Sequence, residues 1–394
     1  MIKNRIRQLI QSVLPEVIEL RHELHTHPET RFAETWTSEY LRGILNAWEI
    51  PYRSGLAKGS GIVATIEGKA GKTIALRADI DGLEIAEATN LPYASRIPDR
   101  MHACGHDGHM ATLLGVARVL LECRDGLEGS VRLLFQPGEE QGGGARYMIA
   151  DGALDGVDAI FGLHGWPQLE AGKIAVKSGS LMASADFFRI TIQGKGCHGA
   201  DPASGIDPVL VAAHITTALQ AVISREIDPR KPAVVSVAHI DAGSTTNIIP
   251  DTALLEGTIR SFDAETDTWL REAIERIACS TAHAFRASAE VAFGEKPYPA
   301  LINDPAMTQM LIHSASEAIG EDNVVILEEP AMVAEDFACY LEEIPGAFFF
   351  LGMANASNQP YPTLHSPYYD FNDKALPTGI ATMAELALRF LAKK

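Results

Sequence analysis

The sequence has few cysteines: five in 394 residues, an odd and scattered set at positions 104, 123, 197, 279 and 339. That excludes the disulfide framework of a small secreted domain and points to a reducing cytoplasm. No apolar run approaches the ~18 residues of a membrane helix; Ala347–Leu351 has only the pattern of a short buried strand. The first residues, Met1 to Arg7, mix charged and apolar side chains at helical spacing. They show no continuous apolar core and no small-residue cleavage pattern, so no secretory signal is expected. Positive charge is in deficit: 33 Lys and Arg stand against 51 Asp and Glu, a formal net charge of −18. Such a surface repels nucleic acid and anionic membranes, and neither is expected as a partner. Repeats and low-complexity tracts are absent. A hydrophobic share of 46% with 21% charged residues excludes a disordered or fibrous chain.

The periodicity that is present switches between two kinds. Ile6, Leu9, Ile10, Val13, Val17 and Leu20 form a helical stripe over Ile6 to Leu24, with Pro15 expected to kink or break it. Leu41, Ile44 and Leu45 mark a second helix. Ile62–Ile66 and Thr73–Ala78 read as strands around a Gly68–Gly71 turn, and Met110 to Leu121 as an apolar helix. Val131–Phe135 and Ala159–Leu163 are short apolar runs of the kind found in strands buried on both faces. Strands alternating with helices predict an α/β domain with a central, mostly parallel sheet flanked by helices.

Near residue 183 the order becomes β-α-β-β-α-β. The strands are Ala185–Gln193, Ala233–Ile240, Ala253–Phe262 and Ser288–Phe293, and the helices Asp207–Ile227 and Ala264–Phe285. This is the split βαβ pattern of a small ferredoxin-like α+β domain. Helices at Pro305–Ile319, Asp336–Leu341 and Thr378–Leu391 and a strand at Ala347–Leu351 follow. The expected organisation is therefore a discontinuous catalytic domain, 1–182 and 294–394, interrupted by an inserted domain, 183–293.

Several short motifs carry chemistry. Met101 to His109 places three histidines and a cysteine in nine residues, ahead of an apolar helix. Cys104 and His106, two residues apart in an extended loop, can face one ion, and thiolate with imidazole suits borderline transition metals. Phe135-Gln136-Pro137-Gly138-Glu139-Glu140 follows a strand. Adjacent carboxylates diverge, so one can bind metal while the other takes a proton from water, the division of labour that metal-assisted hydrolysis needs. His164 ends a short strand and His365 lies in a loop near the C-terminus. Singly, each is more often a core or surface residue. Together they supply more ligands than one four-coordinate ion requires, clustered at strand ends, which favours two metals. Asp79 and Asp81 share one face at i and i+2; Asp81 either orients a ligand, bridges metals or closes a strand end. In the inserted segment, His198 sits in a glycine-bordered loop, Asn247 precedes Ile248-Ile249-Pro250, and Arg260 offers a fork for a carboxylate.

Taken in order along nearly the whole chain, these motifs resemble the aminoacylase/carboxypeptidase-like co-catalytic metallopeptidase family. They are Arg21-His22-Glu23-Leu24-His25 with Pro28-Glu29, Met101–His109, Phe135–Glu140, Gly162-Leu163-His164, Lys195–His198, Thr246–Asp251 and Leu364-His365-Ser366-Pro367. The branch of N-acyl amino acid amidohydrolases, with the hippurate and indole-acetyl-amino-acid hydrolases, is the most similar. The resemblance implies metal ligands at Cys104, His106, Glu140, His164 and His365. It implies Glu139 as general base, with His198, Asn247 and Arg260 on the substrate side. His25, His102 and His109 are family markers read as structural or as supports behind the metal ligands. Two departures show: Asp79-Ile80-Asp81-Gly82-Leu83-Glu84 replaces the usual Asp-Met-Asp-Ala-Leu-Pro, and Cys197 precedes His198 where a small non-thiol residue is usual.

The implied activity is metal-dependent hydrolysis of an N-acyl-L-amino acid to a carboxylic acid and a free amino acid, through a metal-bound hydroxide and Glu139. Two divalent ions per chain are expected, manganese or zinc, with cobalt or nickel also compatible with the ligands. Asn247 and Arg260 would hold the α-carboxylate, and His198 would stabilise the oxyanion. The alternatives are a dipeptidase or carboxypeptidase, a deacetylase of N-acetyl-diaminopimelate, and a non-catalytic binding protein, against which retention of Glu139 argues. A homodimer or dimer of dimers through the inserted lid domain is expected.

Overall fold

The computed structural model describes residues 2–295, 297–356 and 360–392. The chain divides into two compact units: Met1–Leu181 with Ile302–Glu329 and Asp336–Lys394, and Met182–Leu301 with Pro330–Glu335.

The first unit is built on eight strands. Six come early: β1 (Tyr52–Leu56), β2 (Gly61–Glu67), β3 (Lys72–Asp79), β4 (Gly129–Gln136), β5 (Ala159–Glu170) and β6 (Ile174–Val176). Val324–Ile326 and Gly346–Ala354 complete the sheet, in the order β1-β2-β4-β3-β5-(Gly346–Ala354)-β6-(Val324–Ile326). Its centre, from β4 through β3 and β5 to Gly346–Ala354, is parallel. β1, β2 and β4 pair antiparallel on one flank. The central strands are buried along nearly their whole length, which is why they read as continuous apolar runs rather than alternating ones.

Four helices bear on the site: α1 (Ile2–His25), α2 (Thr35–Ala47), α3 (His106–Leu121) and the single turn α4 (Glu139–Gly142). α1 continues through Pro15 without the break that the sequence left open. Pro15 lies on the exposed side, while Ile6, Ile10, Val13, Val17 and Leu24 are buried. Packing of the apolar stripe holds the helix together across the missing hydrogen bond. α3 packs against α1, β3 and the helix Leu376–Leu391, and almost every residue in it is buried.

The second unit is a four-stranded antiparallel sheet in the order (Val234–Ala242)-(Thr252–Arg260)-(Asp186–Gln193)-(Ser288–Phe293). Helices Pro208–Ala221 and Ala264–Ala284 share its core with Phe188, Ile190, Ile192, Leu255 and Ile259. Asp186–Gln193 alternates buried and exposed, as a strand covered on one face must. Asp207 caps the first helix by accepting from the Val209 and Leu210 amides, with Pro208 in its first turn. A turn of π-helix, Val222–Glu226, follows. Cys197–His198 and Ile248–Ile249 form a separate two-stranded ladder.

Candidate metal centre and substrate groups

Three loops and one strand of the first unit converge. Cys104 does not lie in an extended loop as its spacing suggested. Gly105 adopts φ +88°, and the chain turns there directly into α3, so that His106 is its first residue. A Cβ at Gly105 would lie 2.9 Å from the Tyr369 hydroxyl; only glycine makes this turn without strain. His164 is inside β5 rather than at its end. Glu139 and Glu140 open α4 behind Gly138, at φ +65°. His365 itself has φ +62°, a left-handed conformation rare for histidine and typical of strained functional positions. Its amide is anchored on the Ala103 carbonyl at 2.9 Å.

Ligand-type atoms of Cys104, His106 and His164 lie within 4.8 Å of one another; so do those of Cys104, Glu140 and His365, and those of His106, Glu139 and Glu140. All five residues expected to hold metal are thus brought together, with Glu139 beside them. Cys104 Sγ is 3.2 Å from His164 Nε2, and His365 Nε2 is 3.1 Å from Glu140 Oε1.

The hydrogen bonds behind these side chains fix their chemistry. His164 Nδ1 donates to the Gly165 carbonyl at 2.8 Å. Burial, then the neighbouring His109, pushes its pKa down to about 3. It is a neutral imidazole whose Nε2 lone pair faces Cys104. His106 Nδ1 meets Asp81 Oδ1 at 3.2 Å, the carboxylate–histidine pairing that raises ligand basicity. Its buried Nε2 has no hydrogen bond among the described residues. Burial opposes a charge on His106, but Asp79, Asp81 and Glu140 outweigh it and raise the ring to about 10. Burial, then Glu140 and Glu139, pushes the Cys104 thiol well up. Glu140 is held down at about 2: burial opposes ionisation, but the hydrogen bond from His365 and the charge of His106 outweigh it. A buried cluster of thiol and carboxylates that draws protons onto its imidazole is a cluster in need of positive charge. Two divalent cations fit this donor set.

Asp81 does more than close a strand. β3 ends at Asp79, and Asp81 beyond it holds His106 through Oδ1 and the Glu140 amide through Oδ2 at 3.0 Å. Asp79 turns to His109 Nδ1 at 2.7 Å and to Arg77 Nη1 at 2.8 Å. His109 Nε2 in turn accepts from the Gly165 amide at 2.9 Å. His25 Nδ1 is 2.8 Å from Asp107 Oδ2, and His102 is fully buried. Two groups went unnoticed in the sequence. The Asp336 amide donates to Glu139 Oε1 at 3.4 Å, and Glu34 accepts from the Gly138 amide at 3.0 Å. Neither belongs to a dense motif, so nothing in the sequence marked them.

The three residues expected on the substrate side lie in the second unit. His198 is exposed and pairs with Ile248. Its Nδ1 accepts from the Ala200 amide at 3.1 Å, so a neutral ring carries its proton on Nε2, as a donor. Asn247 is next to it: the Gly199 amide donates to the Asn247 carbonyl at 2.8 Å. Arg260 is not with them. It ends the strand Thr252–Arg260, whose start lies beside the Asn247 loop. Nine residues of strand span on the order of 25 Å. At that separation, Asn247 and Arg260 of one copy are too far apart to hold the same α-carboxylate. Arg260 lines a concavity of about 720 Å³ with Phe187, Arg189, His239, Glu256 and Thr258. Its Nη1 serves the Ile259 carbonyl at 2.8 Å and the Thr258 hydroxyl. Among the described residues, Nε and Nη2 donate to nothing.

Residues 75–389 match the model of Peptidase family M20/M25/M40. The N-acetyl-L-cysteine deacetylase of Bacillus subtilis is 41% identical over 377 residues, 95% of this chain and 88% of that protein. Thermostable carboxypeptidase 1 of Saccharolobus solfataricus is 36% identical over 392 residues, 99% of each chain. Among solved structures, the YXEP protein of Bacillus subtilis, a dinuclear metal binding peptidase of the M20 family, superposes with a TM-score of 0.83 at 38% identity. It covers 97% of this chain and 99% of its own.

Proposed function

The chain belongs to peptidase family M20/M25/M40, and from that membership we propose that it hydrolyses the amide bond of N-acyl-L-amino acids. The observation that carries the reading is the setting of Glu139. It is a buried carboxylate, one residue from the ligand-type Glu140 and clustered with it and His106. Cys104, His106, Glu140, His164 and His365 would hold two divalent ions, manganese or zinc by their donor types. When bound, these supply Lewis acidity to the scissile carbonyl and the attacking water.

The chain's own groups do the rest. Glu139 takes one proton from the water and returns it to the leaving nitrogen, so the amino acid departs as a neutral amine. Asp81 holds His106 and the Glu140 amide in place. His198 donates from Nε2 to the carbonyl oxygen as charge builds there. Arg260 forks the α-carboxylate with Nε and Nη2, which donate to nothing among the described residues. A deacetylated N-acetyl amino acid and the last peptide bond of a chain share this feature: the scissile nitrogen belongs to a residue with a free carboxylate. The two relatives named above therefore support one recognition logic, with the acyl side left to pocket shape.

The second unit is, in this reading, a lid and a dimer surface. Val234–Ala242 is an edge strand with exposed Ile240, and an edge finds partners by pairing with its own copy about a two-fold axis. The separation of Arg260 from His198 and Asn247 supports a site to which one copy gives Arg260 and the other gives His198 and Asn247. The test is a hydrolysis screen of metal-reconstituted protein with N-acetyl, N-benzoyl and indole-acetyl amino acids against dipeptides and against α-amidated analogues. N-acyl amino acids should be the better substrates and the amides poor. Dipeptides turning over fastest would assign the chain to peptide cleavage.

A further inference from the structure

Glu34 is fully buried just ahead of α2, and among the described residues no cation pairs with it. An unpaired carboxyl group in such a place costs stability unless hydrogen bonds satisfy it. Its partners come from three separate segments. Oε1 accepts from the Phe32 amide at 3.0 Å and from the Gly138 amide at 3.0 Å, and Oε2 bonds the Ser60 hydroxyl at 2.9 Å.

Two of those segments are strained. Arg31 and Phe32 have φ +47° and +64°, and Ala57 and Lys58 have φ +46° and +66°. Four non-glycine residues in the left-handed region within two short loops are unusual, and such strain persists only where surrounding contacts over-determine it. Here the contacts converge on the turn that carries Glu139. The Phe32 ring lies against Gly138 and Gly142, where a Cβ would come within 2.9 and 2.5 Å of it. Lys58 Nζ sits 4.2 Å from the ring centroids of both Phe32 and Tyr147.

The turn is gripped on both sides of Glu139. Glu34 holds the amide of the residue before it, and Asp81 holds the amide of the residue after it, Glu140, at 3.0 Å. With the 138 and 140 amides both fixed, the backbone of Glu139, in the first turn of a four-residue helix, has little freedom left.

We propose that Glu34 is a positioning residue for Glu139: its carboxyl group, paired with Asp81 across the turn, sets the place from which Glu139 exchanges its proton. This rests on the proposed role of Glu139 in amide hydrolysis. Burial, then the charge of Asp81, raises Glu34 to about 7, in keeping with a group kept for its acceptor geometry rather than its charge. Glutamine preserves that geometry. Its carbonyl accepts from both amides, and its NH₂ donates to the Ser60 hydroxyl, which reverses that bond.

The test compares Glu34→Ala, Glu34→Gln and Glu34→Asp with the parent and with Glu139→Gln, in metal-loaded protein. Glu34→Ala should lose about 100-fold in kcat, the scale of an ångström-level misplacement. KM and metal stoichiometry should stay within about twofold. Amide hydrogen exchange in the peptide 136–144 should accelerate. Glu34→Gln should stay within about threefold of the parent in kcat and match its exchange. If the alanine variant does not fold, Glu34→Asp, whose carboxyl group is drawn back by one methylene, should show the same pattern at smaller size. Parental kcat in the alanine or aspartate variant overturns the proposal. So does a glutamine variant as inactive as Glu139→Gln, because Glu34 would then be carrying a proton. The exchange measurement needs no substrate. If the parent hydrolyses none of the tested amides, the functional reading fails while exchange still decides whether Glu34 holds the turn.

Discussion

The two sets of candidate residues are held in opposite ways. Cys104, His106, Glu139 and His164 are buried, tied to carboxylates, carbonyls or each other, and three of them titrate far from their ordinary values. His198 and Asn247 are exposed, hold mainly to their own loops, and stand a strand's length from Arg260. The first set is a preorganised centre, in which low polarity magnifies every charge. The second consists of groups that reach: donors left free for something that arrives. In the proposed reading, chemistry and recognition are divided between a buried sheet end and a separate unit, so damage to each should fail differently.

The largest effect is expected from removing the cations. Chelation should abolish turnover, manganese or zinc should restore it, and metal analysis should find up to two ions per chain. Full activity in thoroughly metal-free protein would show that the buried cluster does not need positive charge. Glu140→Gln sharpens the same side, because it should lose metal and turnover together.

On the recognition side, His198→Ala should keep its metal and lose about 100- to 1,000-fold in kcat, the worth of one oxyanion donor. Mixing it with Glu139→Gln protein under conditions of proven subunit exchange should restore activity, since one of the two sites in a mixed dimer then carries neither defect. A mixture that stays inactive places His198 in its own chain's site. Arg260→Ala should be milder. KM should rise on the order of 10- to 100-fold for substrates with a free α-carboxylate and little for their amides. Equal effects on both would take the carboxylate away from Arg260.

How much of this the sequence disclosed follows the same division. Much of the candidate cluster was legible because Cys104, His106, Glu139 and Glu140 fall in two short motifs, Met101 to His109 and Gly138 to Glu140, where residue type suggests the chemistry. The parallel strands were legible because burial on both faces leaves continuous apolar runs, as in Ala347–Leu351. What escaped depends on tertiary placement. Pro15 sits in an intact helix because packing outweighs a local preference. His164 falls inside β5 because pairing with Gly346–Ala354 prolongs that strand past its apolar run. Arg260 and Asn247 looked like partners by role, and only the register of Thr252–Arg260 separates them. Glu34 and Asp336 matter through backbone amides: Glu34 accepts from that of Gly138, and Asp336 donates its own to Glu139.

The smallest effect concerns the frame behind the centre. Burial pushes His25 down, but Asp107 with help from Glu87 outweighs it and raises the ring from 6.5 to about 9. The folded state therefore binds this proton where the unfolded chain releases it. The stabilisation, on the order of 3 kcal/mol, is complete below pH 6.5 and is lost as pH climbs through about 9. The unfolding free energy of the parent should fall across that window relative to His25→Asn. Parallel curves would mean that the pair holds no extra proton.

The most direct measurement is steady-state hydrolysis of an N-acyl amino acid by metal-loaded Glu139→Gln protein, with its metal content determined on the same sample. The amide keeps the side chain's size and removes its capacity to take a proton. The expected result is a full complement of metal, a KM near that of the parent and a kcat lower by about three orders of magnitude or more. A kcat close to the parent's, with metal retained, would contradict the assignment of Glu139 as the group that carries the proton.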